Sequence, residues 1–176
     1  MEIKIKNSII RLIQGDSTKQ KVESIVNAAN SRLAGGGGVD GAIHRAGGPK
    51  IMEECKKYDG CPTGTAVMTT GGNLPSKYVI HTVGPIYKNG TSGEPELLQS
   101  AYFNCLKLAE KNNIKTIAFP SISTGVYGYP IKEASVLALE TVMSCLKGKT
   151  FIERAEFVLF SLKDYNVYCS ALKAVG

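Results

Sequence analysis

Hydrophobic positions along the chain alternate with polar ones in short runs, a spacing typical of β-strands. Near the N-terminus, Ile3 and Ile5 alternate with charged residues, and an apolar run from Ile9 to Ile13 follows. This pattern predicts two short strands joined at Asn7 and Ser8. Further strands are predicted at residues 24–28, 65–70, 78–83, 116–119 and 155–160.

Segments with helical spacing separate these strands. Residues 41–46 begin one helix, and Pro49 lies in the first turn of the next, where its fixed φ is favourable. Longer helices are predicted over residues 96–111, 131–146 and 164–175. The alternation predicts one domain, residues 1–176, with a three-layer α/β fold and a central, mostly parallel sheet whose antiparallel edge comes from the N-terminal strands. Ligands of such sheets bind at the carboxyl ends of the strands.

Glycine is the residue type that departs from ordinary composition. The chain has 19 glycines in 176 residues, against roughly 12 expected at average usage. Seven of them fall between Gly35 and Gly48. A loop that needs bare backbone is therefore expected in this segment.

The net charge of +6 reflects few acidic residues more than many basic ones, with 21 Lys and Arg against 15 Asp and Glu. The basic residues are scattered, which argues against a dedicated nucleic-acid-binding module and is compatible with an anionic small substrate. No apolar run is long enough for a membrane span, and MEIKIK does not resemble a signal peptide. We therefore expect a cytoplasmic protein with no membrane partner, as a monomer.

Three loops follow predicted strands at the carboxyl edge: residues 15–18 (GDST), 27–48 and 120–130 (PSISTGVYGYP). Their glycines, helix N-termini and hydroxyl groups have the chemistry of a polyphosphate cradle. Asp16 is either a ligand-binding carboxylate or only a helix N-cap, and spacing alone does not decide between the two.

The second loop also carries candidates for reaction chemistry. Asp40 and His44 are four residues apart, so on a helix beginning near Gly38 they share one face. Asn27 and Asn30 have amide groups suited to the hydroxyls of a sugar. The alternative is that these side chains only cap the helix, pack and hold turns.

Gly36 to Gly41 also matches the dinucleotide-binding pattern GxGxxG, which would indicate a nicotinamide-dependent oxidoreductase. The match is weak because the glycines lie well past the strand end. The acidic residues about 20 positions later fall in a helix and not at a strand tip.

Taken together, five motifs resemble the macrodomain family, specifically its MacroD-type class: GDST at 15–18, NAAN at 27–30, GGGGVDGAIHRAGG at 35–48, VIHTVGP at 79–85 and SISTGVYGYP at 121–130. The resemblance spans nearly the whole chain. It implies an α/β/α macrodomain with a mixed, mostly parallel six-stranded sheet and an ADP-ribose cleft at the carboxyl edge. It also implies hydrolysis of the bond that joins ADP-ribose to acidic side chains of proteins, and deacetylation of O-acetyl-ADP-ribose.

Carried over by position, the resemblance implies that Asp16 accepts from the adenine amine, beside Ser17, which stands where the family commonly has an aliphatic residue. Asn27 and Asn30 lie at the distal ribose, and Asp40 acts as general base or orients the attacking water, with His44 orienting Asp40 or the ribose. Tyr165, or alternatively Phe160, stacks on adenine. The phosphates and distal ribose are enclosed by two further groups: Gly36, Gly37, Gly38 and Val39, and Ser123, Thr124, Gly125, Val126 and Tyr127.

The same resemblance leaves a second function open, a module that binds ADP-ribose without turnover. The Asp40 and His44 pair favours the enzyme, because binding-only relatives commonly lack it. No metal or other cofactor is expected. The expected partners are ADP-ribose, ADP-ribosylated proteins and O-acetyl-ADP-ribose, with nucleic acid only as a terminally ADP-ribosylated substrate.

Overall fold

The computed structural model describes residues 1–176, in which seven strands and five α-helices follow one another along the chain. The elements are β1 (Glu2–Ile5), β2 (Ser8–Gln14), β3 (Ser24–Ala28), α1 (Gly38–Gly47), α2 (Pro49–Cys55), β4 (Ala66–Thr70), β5 (Tyr78–Thr82), α3 (Glu94–Lys111), β6 (Thr116–Phe119), α4 (Ile131–Lys147), β7 (Arg154–Leu159) and α5 (Leu162–Val175). A 3₁₀ turn at Ser17–Lys19 follows β2. None of the helices is both long and apolar enough to cross a membrane.

The sheet has the strand order β1-β2-β7-β6-β3-β5-β4. The five central strands are parallel, and antiparallel strands β1 and β4 form the two edges. The mixed, mostly parallel sheet and its antiparallel N-terminal edge are confirmed. The sheet has seven strands, one more than the six implied by the resemblance, and the second antiparallel edge, β4, is an addition to the prediction.

Side chains alternate across the sheet, so each face has its own core. In β7, Phe157 and Leu159 enter a cluster of 28 buried residues beneath α3, α4 and α5, whereas Val158 enters a cluster of 13 beneath α1 and α2. The predicted three layers are confirmed. Because four neighbouring strands, β7, β6, β3 and β5, are buried on both faces, the centre of the sheet is a rigid platform for the loops at its carboxyl edge.

A crevice forms at the carboxyl edge because the neighbouring strands β3 and β6 connect to opposite faces. The chain leaves β3 for α1 on one face, and it leaves β6 for α4 on the other. The two loops therefore diverge, and the space between them is the switch point at which open α/β sheets bind ligands. The loops after β2 and β7 flank the same edge.

Candidate functional site

Asp40 lies at the centre of the crevice, in the first turn of α1. The α1 helix begins at Gly38, three residues before the predicted segment, and this confirms that Asp40 and His44 share a face. Asp40 is only 5% exposed. Its Oδ1 accepts a hydrogen bond from Asn27 Nδ2 at 2.8 Å and lies 3.3 Å from His44 Nε2.

The second carboxylate oxygen of Asp40 accepts no hydrogen bond from the protein. It lies beside the glycine loop, where a Cβ at Gly36 would be 3.5 Å from Oδ2. One oxygen is thus fixed and the other is available to a water molecule or ligand. A carboxylate held in this way can accept a proton or orient a nucleophile.

The two asparagines of the NAAN motif have different positions. Asn27, on β3, is fully buried and lies behind Asp40. Asn30 is half-buried in the loop, where its Nδ2 donates to the carbonyl of Gly35 at 2.8 Å and its Oδ1 accepts from the N–H of Ala34 at 3.1 Å. Asn30 therefore holds the glycine loop in place beside Asp40.

The loop after β6 forms the other wall of the crevice. Ser123 has a φ of +67° and a buried Oγ with no hydrogen-bond partner. A non-glycine residue in this conformation carries a backbone cost of about 1 kcal/mol or more. The tip beyond it, Gly125 and Val126, is exposed, while Tyr129 N donates to Ser123 O at 2.9 Å and closes the loop. The Ser123 hydroxyl group packs against Gly84, where a Cβ would overlap with it, so this side chain holds the loop against the one that follows β5.

Buried tyrosines support this loop from below. The N–H of Ile122 donates to Tyr102 Oη at 3.0 Å, and Tyr168 Oη donates to Ser121 Oγ at 2.9 Å. Burial raises the pKa of Tyr168 to about 12, so its hydroxyl group keeps its proton. The loop therefore begins from a rigid base.

The loop that follows β5 is tied to the same wall. Tyr87 N donates to Tyr127 O at 2.9 Å, and the Tyr87 and Tyr129 rings lie 4.8 Å apart. Glu94, at the start of α3, organises the rest of this loop: its Oε2 accepts from the N–H groups of Lys88, Asn89 and Gly90, each at 2.9 Å. These hydrogen bonds, with that of Gly90 the strongest, lower the pKa of Glu94 to about 2.

Glu94→Gln is expected to lower the free energy of unfolding at neutral pH, with the difference from the unmodified chain shrinking in acid. Because the folded pKa of about 2 lies below the ordinary value of 4.5, the carboxylate stabilises the fold fully above pH 4.5 and loses this effect as the pH falls towards 2. Urea unfolding at several pH values measures this. Glu96→Gln, an exposed neighbour in the same turn, is the control. A Glu94→Gln effect that is equal at all pH values contradicts the assignment.

Asp16 marks the far end of the crevice. Its Oδ1 accepts from the backbone N–H of Thr18 at 2.8 Å and from Thr18 Oγ1 at 2.7 Å, and the hydroxyl contact in particular lowers the carboxyl pKa. The N-cap interpretation is therefore confirmed, for the 3₁₀ turn at Ser17–Lys19. Oδ2 accepts no hydrogen bond from the protein, so capping leaves one oxygen for a ligand. Ser17 is buried.

The two aromatic candidates lie in different surroundings. The N–H of Gly15 donates to Leu159 O at 2.9 Å, which brings Phe160, the next residue after β7, to the same edge as Asp16. Phe160 is 85% exposed. Tyr165 is half-buried against the larger core, and its Oη accepts from the Met1 ammonium group at 3.1 Å.

The second histidine of the chain, His81, lies in β5 and is fully buried. The structure adds a contact that sequence reasoning missed: His81 Nδ1 lies 3.0 Å from Asn27 Nδ2, directly behind Asp40. The sequence signal for this contact was a polar residue near the end of each of two predicted strands, Asn27 in residues 24–28 and His81 in residues 78–83. Their pairing depends on strand order, which a single sequence does not specify.

The fold and these contacts define an α/β protein with a crevice at a switch point of its sheet, lined by a glycine loop and the Asp40 carboxylate. The Macro domain family model matches residues 26–138. O-acetyl-ADP-ribose deacetylase 1 of Pantoea vagans is 50% identical over 167 residues, which are 93% of this chain and 98% of the relative. The chain belongs to the Macro domain family.

Solved structures agree with this assignment. The Oceanobacillus iheyensis macrodomain with ADP has a TM-score of 0.96 and 43% identity, and the match covers 99% of this chain and 95% of that one. The Trypanosoma brucei macrodomain in complex with ADP-ribose has a TM-score of 0.87 and 42% identity, over 95% of this chain and 69% of that one. Nearly the whole chain thus matches the fold of these macrodomains.

Proposed function

We propose that the protein is a MacroD-type hydrolase. It binds ADP-ribose in the crevice, removes ADP-ribose from acidic side chains of proteins and deacetylates O-acetyl-ADP-ribose. The observation that carries this proposal is the Asp40 carboxylate, with Oδ1 held by Asn27 and Oδ2 unpaired beside the glycine loop. The relative named O-acetyl-ADP-ribose deacetylase supports the reaction class.

In this proposal the ligand lies across the carboxyl edge. Asp16 accepts from the adenine amine through its unpaired Oδ2. Backbone N–H groups and hydroxyl groups of the two loops bind the diphosphate, in the way that glycine-rich loops and helix N-termini bind anions. The distal ribose then lies between the glycine loop and Asp40, near Asn30. The loop residues concerned are Gly36, Gly37, Gly38, Val39, Ser123, Thr124, Gly125, Val126 and Tyr127.

Both substrates carry an acyl group on the distal ribose, so one site can serve both reactions. Asp40 Oδ2 accepts a proton from the attacking water or orients it, with help from the proximal phosphate of the substrate. His44 and Asn27 keep the carboxylate in place. Binding energy from adenine and diphosphate fixes the ribose for attack, which lowers the entropic part of the barrier.

The test measures binding and turnover in one preparation. Calorimetry with ADP-ribose is expected to show one site per chain, and incubation with glutamate-linked mono-ADP-ribosylated protein or with O-acetyl-ADP-ribose is expected to release free ADP-ribose or acetate. Binding without turnover of either substrate contradicts the hydrolase and leaves a binding module. Absence of binding contradicts both.

We also propose that Phe160, and not Tyr165, stacks on adenine, because Phe160 is exposed beside Asp16 whereas the Tyr165 hydroxyl group is bonded to Met1. Phe160→Ala is expected to weaken ADP-ribose binding about tenfold, since stacking on an aromatic ring contributes about 1–3 kcal/mol per base. Its kcat is expected to fall by less than its affinity, because the diphosphate contacts still hold the ribose for attack. Calorimetry checks this, with Tyr165→Ala as the matched variant. A loss of affinity in Tyr165→Ala alone contradicts the assignment.

A further inference from the structure

A row of polar side chains crosses three adjacent strands behind Asp40. In the parallel register of β3 and β5, Asn27 lies directly opposite His81. On the other side of β5, His81 Nε2 lies 2.9 Å from Thr69 Oγ1 on β4. All three residues lie on the face covered by α1 and α2. Their relative exposures are 0% for Asn27, 0% for His81 and 2% for Thr69.

The hydrogen bonds of this row set the tautomer of His81. Burial, and then the nearby His44, lower the pKa of His81 to about 3, so the ring is neutral and carries one proton. Thr69 uses its only hydroxyl proton on the carbonyl of Thr70, at 3.0 Å. With the proton placed there, the hydroxyl oxygen accepts from His81 Nε2–H and Nδ1 is left as an acceptor, which is the tautomer that the Asn27 Nδ2 donor requires. Cys55 Sγ also lies near Nε2, at 3.8 Å.

The same logic fixes the amide of Asn27. Its Nδ2 has two hydrogens, and they serve His81 Nδ1 at 3.0 Å and Asp40 Oδ1 at 2.8 Å. Its Oδ1 is buried with no partner, an arrangement that is unfavourable by itself. The amide keeps this orientation because both N–H bonds are made. A rotated amide would turn its oxygen towards the Asp40 carboxylate.

We propose that His81 is a positioning residue for the hydrolysis: by accepting at Nδ1 it locks the amide of Asn27, and Asn27 in turn locks the carboxylate of Asp40. The inference rests on the proposed function. His81 itself, fully buried, does not touch substrate. Its effect is to keep Oδ2 of Asp40 aimed into the crevice. Thr69 lies at the other end of the same row of hydrogen bonds, where its contact with Nε2 favours the tautomer of His81 that accepts at Nδ1.

The experiment compares steady-state kinetics of variants on O-acetyl-ADP-ribose. His81→Leu removes the acceptor at similar size, whereas His81→Asn keeps an acceptor near the position of Nδ1. Val79→Ala removes a buried contact on the same face of β5, two residues away. Val79 lies opposite Thr69 in the register of β4 and β5, but its side chain contributes no hydrogen bond to the row, so this variant changes packing alone. Thr69→Val is nearly isosteric and removes the hydroxyl group that contacts His81 Nε2. It therefore tests the proposal even if His81→Leu fails to fold.

We expect His81→Leu to lower kcat on the order of tenfold, because small displacements of a catalytic group have effects of this size. KM and the calorimetric affinity for ADP-ribose should change by less than about threefold. Thr69→Val should lower kcat in the same way, and His81→Asn should recover most of it. Val79→Ala should lower thermal stability and leave kcat unchanged.

Unchanged kcat in both His81→Leu and Thr69→Val overturns the positioning role while the proposed function stands. Equal losses of kcat in His81→Asn, His81→Leu and Val79→Ala also overturn it, since they would indicate a general packing effect. Absence of turnover by the unmodified chain is a failure of the proposed function itself, and it removes the basis of this inference as well.

Discussion

Asp40→Asn is expected to lower kcat about 10²- to 10⁴-fold, the range that general acid–base catalysis contributes. The asparagine side chain has the same size. Its carbonyl oxygen can replace Oδ1 as the acceptor for Asn27, which leaves an amide nitrogen where Oδ2 faces the crevice. A proton acceptor is thereby exchanged for a donor with little change in packing. Affinity for ADP-ribose should stay within about threefold, because the substitution leaves the adenine and diphosphate contacts in place.

Release of ADP-ribose from the glutamate-linked substrate and calorimetry on the same preparation separate these two effects. Glu53→Gln serves as the control, since Glu53 is an exposed carboxylate on the neighbouring α2. Turnover by Asp40→Asn equal to that of the unmodified chain contradicts the role of Asp40. A loss of affinity as large as the loss of kcat indicates that Asp40 serves binding instead.

Gly41→Ala is expected to lower kcat/KM about 100-fold. A Cβ at Gly41 would lie 2.4 Å from the carbonyl oxygen of Gly36, so the glycine loop would have to withdraw by roughly 1 Å. A misplacement of this size typically costs about 10²-fold in rate. Gly36 lies beside Asp40 Oδ2, so the displacement opens the site where the distal ribose is proposed to bind.

The same variant tests which of two opposing effects on stability is larger. Alanine in a helix is favoured over glycine by about 1 kcal/mol, whereas overpacking costs about 1–3 kcal/mol. Because the contact is with backbone, which has little room to yield, we expect net destabilisation in urea unfolding. Gly148→Ala, at the C-terminal end of α4 and away from the crevice, is the control, since its φ of −77° is ordinary and the nearest atom to its Cβ would be 3.3 Å away. Equal kcat/KM in the two variants contradicts the close approach at Gly41.

Much of the fold could be predicted because its signals are local. All seven strands and all five helices lie where alternation, helical spacing and proline placement predict them, with ends displaced by a few residues. One such displacement matters for function. Phe160 was predicted as the last residue of a strand, but β7 ends at Leu159, so Phe160 lies free at the edge.

The candidate site was predictable where its parts are close in sequence. Asp40 and His44 share a face of α1 because they are one helical turn apart, and the glycine excess correctly indicated a loop with bare backbone. In the structure, Gly41 is the α1 glycine that lies closest to that loop, against the carbonyl oxygen of Gly36. Periodicity does not report a close approach of a helix to the loop before it.

Contacts between segments that are far apart in sequence could not be predicted from these local signals. Asn27 and His81 are 54 residues apart and meet only because β3 and β5 are neighbours in register. In the sequence, Glu94 is likewise an ordinary acidic residue at the start of a helix. Its three hydrogen bonds from backbone N–H groups form only because of the path of the loop before it. Tyr165 was the preferred aromatic candidate, and its contact with Met1 joins the two ends of the chain.

The central claim is that one crevice both binds ADP-ribose and hydrolyses the acyl bond at its distal ribose. The most direct test is inhibition of turnover on the glutamate-linked substrate by free ADP-ribose. We predict competitive inhibition with an inhibition constant equal to the calorimetric Kd. Turnover that persists unchanged at saturating ADP-ribose would place the reaction elsewhere on the molecule, and that result would contradict the claim.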